Sequence, residues 1–316
     1  MPGHERKPSS WSATAARKVP PNPGPRYDWW VTDRILWRVG DRVVDCGART
    51  HVMGVINVTP DSFSDGGRFF DPDVAAAAGI RMIAEGADFL DVGGESTRPG
   101  SDSVSAEDEI DRVVPVIKRL SAEVEAPISI DTRKPDVARA ALDAGAVILN
   151  DVTAGSDPKM FDVVEGAGAA MVLMHMRGEP KIMQQLTDYG DVVPEVRDYL
   201  TQRVEAAVAR GIDQGRLAID PGLGFAKTEE QNYVLMRDIR EFLRVSRPVV
   251  VGPSRKSFIG KVLGTEVDER LEGTAGAVAW MAGQGAHIVR VHDVKAMVRV
   301  VRVVDAITRA PRRSIG

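Results

Sequence analysis

Short apolar runs alternate with longer amphipathic segments along most of the chain. Eight of these runs are rich in Val, Ile, Leu, Met and Ala, and each ends in polar residues. Short apolar runs are typical of buried strands, and polar residues just past a strand end often form sites. With their closing residues, the runs are VMGVINVTP (52–60), DFLDVGGESTRPG (88–100), ISIDT (128–132), VILND (147–151), MVLMH (171–175), LAIDPGLGF (217–225), VVVGPSRK (249–256) and IVRVHD (288–293).

The segments between the runs have the periodicity of helices, with apolar residues on one face. Ser105 is placed to cap one of them, with Asp108 as its reciprocal partner. Pro72 and Pro135 stand where a first helical residue is expected. The predicted apolar faces are Ile110, Val113, Val114, Ile117 and Leu120 in one helix, and Ala296, Met297, Val300, Val301, Val304 and Ile307 in the last.

Strands that alternate with helices form parallel sheets with covered faces. Eight repeats within about 260 residues favour an α/β fold, the (β/α)8 TIM barrel, which takes roughly 250 residues. A doubly wound open sheet is the main competitor, but no G-x-G-x-x-G follows the first strand. Residues 34–46 alternate around Gly40-Asp41 and predict an N-terminal β-hairpin that plugs the barrel bottom. Trp29, Trp30 and Trp37 are expected to pack there.

Composition restricts the class of protein. Residues 1–28 are rich in Pro and basic residues, which predicts a disordered tail before a barrel domain over residues 29–310. The net charge of −4 among 316 residues gives no general basic field for nucleic acid. Apolar runs are shorter than the roughly 20 residues of a membrane helix. Cys46 is the single cysteine, which suits a reducing cytoplasm.

Polar residues at the predicted strand ends indicate the chemistry. Asp131, Asn150, Asp220 and Lys256 would converge at the carboxyl end of the barrel, where TIM-barrel enzymes have their active sites. Two carboxylates, an amide and an ammonium suit a flat heterocycle that is rich in donors and acceptors.

The last two strands predict an anion site. Arg290 and His292 alternate on the eighth strand, and Ser254-Arg255-Lys256 follows the seventh, where TIM barrels often bind phosphate. The alternative for Arg290 is an ion pair with a structural carboxylate. The sequence has no zinc-spaced Cys or His cluster and no G-x-S-x-G elbow. A metal ion here would be a hard cation such as Mg²⁺, bound by Asn57 and phosphate oxygens.

The motifs, taken together, resemble those of dihydropteroate synthases. GVINVTPDSFSDGG and DVGGESTRPG are similar to the two signature segments of that family. SIDT, the Asn150-Asp151 pair, DPGLGFAK, SRKSFIG and RVHD follow in the family's order. The resemblance covers residues 52–306. It implies that the enzyme joins 4-aminobenzoate to (7,8-dihydropterin-6-yl)methyl diphosphate, giving 7,8-dihydropteroate and diphosphate.

The resemblance also implies roles for individual residues. Asn57 would bind Mg²⁺, Arg290 and His292 would contact the diphosphate, and Thr59 and Asp61 would close over the site from the first loop. Asp131 and Asp61 would stabilise positive charge on the pterin methylene. The implied pterin-binding residues are Asp131, Asn150, Met174, Asp220, Phe225 and Lys256. Thr97, Arg98 and Pro99, in the loop after the second strand, would also close over the site. The 4-aminobenzoate pocket would be lined by Thr97, Pro99, Lys256 and Ser257.

Two alternatives remain open at this point. A pterin-binding methyltransferase barrel shares the fold and the pterin-holding pattern, but it would not need the first loop or RVHD. A non-catalytic paralogue of the synthase would have lost Lys256, Asn57 or the loop residues, and all are present. The predicted partners are the two small substrates and a second copy in a homodimer, with no nucleic acid and no membrane.

Overall fold

The computed structural model describes residues 34–59, 71–97 and 100–310. These residues contain ten strands and ten α-helices. The strands are β1 (Leu36–Val39), β2 (Arg42–Asp45), β3 (His51–Asn57), β4 (Phe89–Gly93), β5 (Ile128–Asp131), β6 (Ile148–Asp151), β7 (Ala170–Met174), β8 (Leu217–Asp220), β9 (Val250–Val251) and β10 (Ile288–Val291). The helices are α1 (Pro72–Ala84), α2 (Ala106–Glu123), α3 (Pro135–Asp143), α4 (Pro158–Ala167), α5 (Val192–Ala209), α6 (Glu229–Arg237), α7 (Arg240–Leu243), α8 (Ser257–Leu263), α9 (Leu271–Gly283) and α10 (Val294–Thr308).

Strands β3 to β10 form one parallel eight-stranded sheet that closes into a barrel. The order is β8-β7-β6-β5-β4-β3-β10-β9, so the first barrel strand lies between the second and the last. A parallel bridge between Ile219 and Val249 joins the two end strands, and the Ile219 amide donates to the Pro248 carbonyl at 2.9 Å. The predicted (β/α)8 barrel is confirmed, and each of the eight apolar runs supplies one of its strands.

Burial explains the sequence of these strands. All residues of β4 and β7 are buried, because the barrel interior covers one face and the helices cover the other. Strand β9 keeps only two residues, Val250 and Val251, between Pro248 and Pro253. Proline has no N–H for the ladder and therefore limits the strand on both sides.

Proline and side-chain caps start the helices as predicted. Helix α1 begins at Pro72 and α3 at Pro135, and Ser105 caps α2 by accepting from the Asp108 amide at 3.0 Å. The reciprocal contact differs from the predicted one, because the Asp108 carboxylate accepts from the Ser105 hydroxyl at 2.8 Å. An Asp side chain is one methylene shorter than the Glu of a full capping box.

The last helix buries a slightly different face from the predicted one. Met297 and Val301 are buried as expected, but Ile307 is 70% exposed. The inward face passes through Asp305 instead, whose carboxylate accepts from the Thr50 amide and hydroxyl at 2.9 Å each. The prediction for Ile307 is wrong because Asp305, hydrogen-bonded to Thr50 next to the start of β3, occupies the last inward position of the helix.

The β1–β2 hairpin plugs the bottom of the barrel, as predicted. Its turn lies at Gly40-Asp41, and Trp37 is fully buried with its indole N–H donating to the Arg216 carbonyl at 2.9 Å. Trp37 packs at 5.6 Å between ring centroids on Phe89, the first residue of β4. The buried cluster that joins hairpin and strand beginnings is Trp37, Val39, Cys46, Met53, Phe89, Ile148, Ala170, Val172, Ala218, Val250 and Ile288.

Two expectations fall on residues that the structure does not describe. The predicted tail over residues 1–28 lies outside the described ranges, as do Trp29 and Trp30, and both stay predictions. Within the described ranges, no helix combines the length and the apolar character needed to cross a membrane.

Candidate active site

The carboxyl ends of the barrel strands bring most of the predicted site residues to one mouth. Asp131 ends β5 and lies beside Asn150 of β6 in the parallel register, and Met174 of β7 lies beside Asp220 of β8. Asn57 ends β3. Because parallel strands end at the same edge, residues far apart in sequence share one mouth.

Arg290 is the centre of a buried ionic network inside this mouth. Its Nε donates to Asp91 Oδ2 at 2.5 Å, and its Nη2 donates to Asp131 Oδ2 at 2.7 Å. Asn150 Nδ2 donates to the same Asp91 oxygen at 3.1 Å. These hydrogen bonds of Arg290 and Asn150 therefore join the four strands β4, β5, β6 and β10 at one point inside the mouth. The structural carboxylate partner that was the alternative for Arg290 is therefore present.

The network leaves acceptors unused. Asp131 Oδ1 and Asp91 Oδ1 are buried and have no hydrogen-bond partner among the described residues. Burial raises the pKa of the Asp131 carboxyl to about 7, although the charge of Arg290 opposes this shift. A buried carboxylate oxygen without a donor is costly, so it is a place for a ligand N–H.

Asp220, Lys256 and Phe225 form the other side of the mouth. Asp220 Oδ1 accepts from the Gly222 amide at 2.7 Å, and the Lys256 ammonium lies 4.0 Å from the centroid of the Phe225 ring. Burial raises the pKa of Asp220 to about 6, and the positive charge of Lys256 opposes it. The positive charge of Lys256 also lowers the pKa of Asp131, so this one ammonium acts on both carboxylates.

An apolar wall accompanies these charged groups. Met174 and Phe225 belong to one buried cluster with Val152, Met176 and Met183, and each of the two predicted pterin contacts is less than 10% exposed. Flat rings bind well between a thioether and an aromatic face.

Asn57 and His292 meet at the opposite edge of the mouth. Asn57 Nδ2 lies 3.3 Å from His292 Nε2, and His292 Nδ1 lies 2.9 Å from the Ser254 hydroxyl oxygen. Burial, with help from the charge of Arg290, lowers the pKa of His292 to about 3. A neutral imidazole next to an amide offers directed hydrogen bonds at this edge without adding a charge.

The loop residues are placed only in part. Thr97 is half-buried, and Ser257 is exposed as the first residue of α8, directly after Lys256. Thr59 is described at the end of its segment. Asp61, Arg98 and Pro99 lie outside the described residues, so their predicted roles are not tested.

A carboxylate inside a strand escaped the sequence reasoning. Asp91 is fully buried between Leu90 and Val92 and links Arg290 to Asn150. Its signal was a carboxylate in the middle of an apolar strand, which needs a buried partner. Ser254 was noted only for its position after β9, and its hydroxyl also accepts from the His292 amide at 3.2 Å.

A metal ion at this mouth would have to depend on few protein ligands. The described residues contain no group of three or more His, Cys, Asp or Glu side chains that could hold one. Asn57 supplies a neutral amide at a half-buried position, beside the uncharged His292. Mg²⁺ is commonly bound through one or two protein oxygens together with substrate phosphates and water, so Asn57 fits a cation that arrives with a phosphate substrate.

The fold and this mouth define a pterin-binding barrel, and a family model described as "Pterin binding enzyme" matches residues 53–292. A dihydropteroate synthase of Synechocystis is 46% identical over 273 residues, which is 86% of this chain and 94% of the relative. The Escherichia coli dihydropteroate synthase is 45% identical and covers 81% of this chain and 91% of its own. The chain belongs to the dihydropteroate synthase family.

Solved structures agree with this assignment. The Xanthomonas albilineans dihydropteroate synthase, solved with 4-aminobenzoic acid, superimposes with a TM-score of 0.82 at 43% identity, covering 88% of this chain and 100% of that one. The Yersinia pestis dihydropteroate synthase, solved with a sulfonamide drug complex, has a TM-score of 0.83 at 38% identity and covers 87% of this chain and 100% of that one.

Proposed function

We propose that this protein condenses (7,8-dihydropterin-6-yl)methyl diphosphate with 4-aminobenzoate to give 7,8-dihydropteroate and diphosphate. The family carries this reaction, and the observation that supports it most in this chain is the unused buried acceptor of Asp131. It lies beside Asn150 in a mouth that also holds Asp220 and Lys256. That set matches the donors and acceptors along the edge of a pterin ring.

The pterin is proposed to bind on the strand ends. Asp131 and Asp220 accept from ring N–H groups, and Asn150 and Lys256 complete the polar edge. Met174 and Phe225 supply the apolar contacts to the ring. Because these groups belong to strands or lie in the short segments that follow them, the pterin pocket is largely preformed, which reduces the entropy lost on binding.

The diphosphate is proposed to bind toward β10. Arg290 keeps its Nη1 without a hydrogen-bond partner among the described residues, so one edge of the guanidinium is left for a phosphate oxygen. The neutral His292, whose ring nitrogens contact Asn57 and Ser254, is proposed to exchange one of these contacts for a hydrogen bond to the diphosphate. Charge that develops on the departing diphosphate is stabilised by groups held in place before the reaction starts.

Breaking the carbon–oxygen bond leaves positive charge on the pterin methylene. Asp131 faces this region of the mouth, and Asp61 is proposed to reach it from the first loop. The 4-aminobenzoate amine is a weak neutral nucleophile, so the bond to diphosphate breaks largely before the new carbon–nitrogen bond forms. Thr97, Pro99, Lys256 and Ser257 are proposed to line the pocket that holds this amine, and Arg98 is proposed to close over the site.

Magnesium is proposed to join the site with the diphosphate. When bound, Mg²⁺ would neutralise the charge of the leaving group. Asn57 would hold it through its amide oxygen. Calorimetry of diphosphate binding with and without Mg²⁺ tests this independently of turnover: Mg²⁺ should raise the affinity in the parent and lose this effect in Asn57→Ala. An equal gain in both proteins would remove Asn57 as a ligand.

A two-fold homodimer is proposed through the last helices. Helices α9 and α10 pack on each other and present exposed apolar side chains, including Trp280, Val303 and Ile307 at 49%, 60% and 70% exposure. Exposed apolar groups of this size favour an interface with a second copy. Sedimentation should give a dimer for the parent and a monomer for Val303→Glu. The cytoplasmic location predicted from the sequence stays a prediction.

A coupled assay tests the reaction itself. Purified protein with the pterin diphosphate, 4-aminobenzoate and Mg²⁺ should release diphosphate and form dihydropteroate. A methyltransferase barrel would make no pteroate in this mixture, and a non-catalytic paralogue would bind pterin without turnover. Either result would reject the proposed reaction.

A further inference from the structure

Lys227 is a buried cation directly behind the candidate active site. It lies between β8 and α6 and is 3% exposed. Its Nζ donates to the Gly222 and Phe225 carbonyls at 2.9 Å each and lies 3.0 Å from Nδ1 of His175. An ammonium has three N–H donors, and these three acceptors match them one for one.

The charge of this side chain is expensive to bury. Within the described residues, Lys227 has no carboxylate within ion-pair distance, and its three partners are neutral. Burial lowers its pKa to about 7, although the charge of Asp220 opposes the shift. An apolar side chain of the same length would avoid this cost only by leaving the Gly222 and Phe225 carbonyls without their donor. The position is therefore difficult to explain by packing alone.

Two of the three hydrogen-bond partners of Lys227 belong to residues that contact the proposed pterin-binding groups. Gly222, whose carbonyl accepts from Lys227, donates its own amide to Asp220 Oδ1 at 2.7 Å. Phe225, whose carbonyl also accepts from Lys227, places its ring 4.0 Å from the Lys256 ammonium. The Lys227 ammonium thus holds the backbone at Gly222 and at Phe225, the two residues that orient the proposed pterin-binding groups.

The third partner joins this segment to the neighbouring strand. His175 directly follows β7 and donates its amide to the Asp220 carbonyl at 2.9 Å. Gly222 has a φ of +70°, and a Cβ there would lie 2.0 Å from the His175 carbonyl oxygen. The backbone after β8 therefore crosses the end of β7 with no spare space, and the three hydrogen bonds of Lys227 keep it there.

We propose that Lys227 is a positioning residue for the pterin. It holds the Asp220 carboxylate and the Phe225 ring in the orientation that the ring requires, and it does not itself touch substrate. This inference rests on the proposed function, because the ligand whose binding it controls is the pterin. It predicts a loss of pterin affinity with little change in the steps that follow.

The test compares Lys227→Met with Lys118→Met, which changes an exposed lysine of α2 in the same way. Calorimetry and steady-state kinetics should show Kd and KM for the pterin substrate about tenfold higher in Lys227→Met, the scale of one or two lost hydrogen bonds. The kcat, and the KM for 4-aminobenzoate at saturating pterin, should stay near the values of the parent and of Lys118→Met.

A purely structural role would give a different result. It would lower the melting temperature and the folded fraction without moving the pterin Kd of the folded molecules. Unchanged pterin affinity in folded Lys227→Met overturns the proposal. The parent is measured first, because a parent without turnover rejects the proposed function, whereas an active parent with a normal variant rejects only the role of Lys227.

Chemical rescue separates the ammonium from the rest of the side chain. Lys227→Ala should recover pterin affinity with ethylammonium, which carries three N–H donors, and should not recover it with tetramethylammonium, which has none. Equal behaviour with the two cations contradicts the proposal.

The parent protein offers a measurement that needs no variant to fold. Nitrogen-15 spectra of labelled histidines should show His175 with an unprotonated Nδ1 that accepts from Lys227. Burial and the nearby Lys227 charge hold the pKa of His175 down to about 2, so this form should persist across the working pH range. Addition of pterin should shift the resonance; a protonated Nδ1, or a resonance that pterin does not move, overturns the proposal.

Discussion

The two ends of the barrel are built from the same strands but differ in what they bury, apolar side chains at one end and charged groups at the other. At the bottom, Trp37 and Phe89 pack in a fully apolar cluster closed by the hairpin. At the mouth, Asp91, Asp131 and Arg290 form a buried ionic network with unused acceptors. Apolar burial stabilises the fold, whereas buried charges cost free energy unless they are fully paired. The difference shows that the bottom contributes apolar packing to stability, whereas the mouth carries the groups available for chemistry.

The titration behaviour of the two ends follows the same division. At the mouth, burial places the pKa of Asp131 and Asp220 at about 7 and about 6, near neutral pH. At the bottom, burial raises the pKa of the Cys46 thiol to about 12, so this group stays neutral. Groups that titrate near the working pH are typical of sites, and groups that do not are typical of packing.

The largest expected effect is a loss of stability from a change at the bottom of the barrel. Trp37→Ala should lower the free energy of unfolding by about 3–5 kcal/mol, because it empties a fully buried site and removes the bond to Arg216. Denaturant unfolding measures this, with Val43→Ala on the neighbouring strand, 61% exposed, as the control. The pterin Kd of the folded variant should equal that of the parent; a large change would mean that the two ends are coupled.

The next largest effect is a loss of catalytic efficiency from a change at the mouth. Arg290→Lys should lower kcat/KM by ~10²-fold, or about 3 kcal/mol, because lysine cannot span Asp91 and Asp131 and still present a second edge to the diphosphate. Steady-state kinetics measure it, with the 59% exposed Arg139→Lys as the control. Near-normal turnover in Arg290→Lys would leave Arg290 with only the structural role.

A smaller effect separates the pterin carboxylates from the fold. Asp131→Asn and Asp220→Asn keep the shape of the side chain but replace a charged acceptor with a neutral amide. Each should weaken pterin binding by about tenfold, or about 1.4 kcal/mol. Calorimetry measures the affinity, and the exposed Asp136→Asn serves as the control. A pterin Kd that neither variant changes would place both carboxylates outside the pocket.

The smallest effect is a pH dependence confined to the mouth. The raised pKa of Asp131 means that its proton is bound more tightly in the folded state, so its contribution to stability is lost as pH rises through about 7. Relative to Asp131→Asn, the ligand-free melting temperature of the parent should therefore fall by a few degrees between pH 5 and pH 8, and its pterin affinity should rise several-fold over the same range. The buried His175 and His292, whose lowered pKa values increase stability as pH rises, are common to both proteins.

Asp131→Asn provides the check on this dependence. Melting curves and titrations of both proteins across the pH range give these two differences, and calorimetry in buffers of different ionisation enthalpy should show proton release on pterin binding in the parent. Trends of the same size in both proteins would assign the titration to another group.

The sequence predicted what depends on local pattern. Apolar runs identified the eight strands, Pro72 and Pro135 marked helix starts, and the Gly40-Asp41 turn placed the hairpin. Strand-end position alone brought Asp131, Asn150 and Asp220 to one mouth, because parallel strands end together.

What the sequence did not predict depends on contacts across the barrel. The bond from Arg290 to Asp91 joins residues 199 positions apart and needs the register that places β10 and β4 on either side of β3. The three acceptors of Lys227 needed the path of the backbone after β8. The exposure of Ile307 followed from a polar contact between Asp305 and Thr50, which no helical periodicity contains.

The single cysteine has a practical consequence for following this enzyme in solution. Cys46 is 1% exposed, and its raised pKa keeps the thiol in the form that reacts poorly with maleimides at neutral pH. An introduced thiol such as Asp102→Cys, at a side chain 89% exposed, would therefore be labelled selectively in the native background. Fluorophores or spin labels attached there could report, without removal of the natural cysteine, on movements of the loop after β4 while the substrates bind.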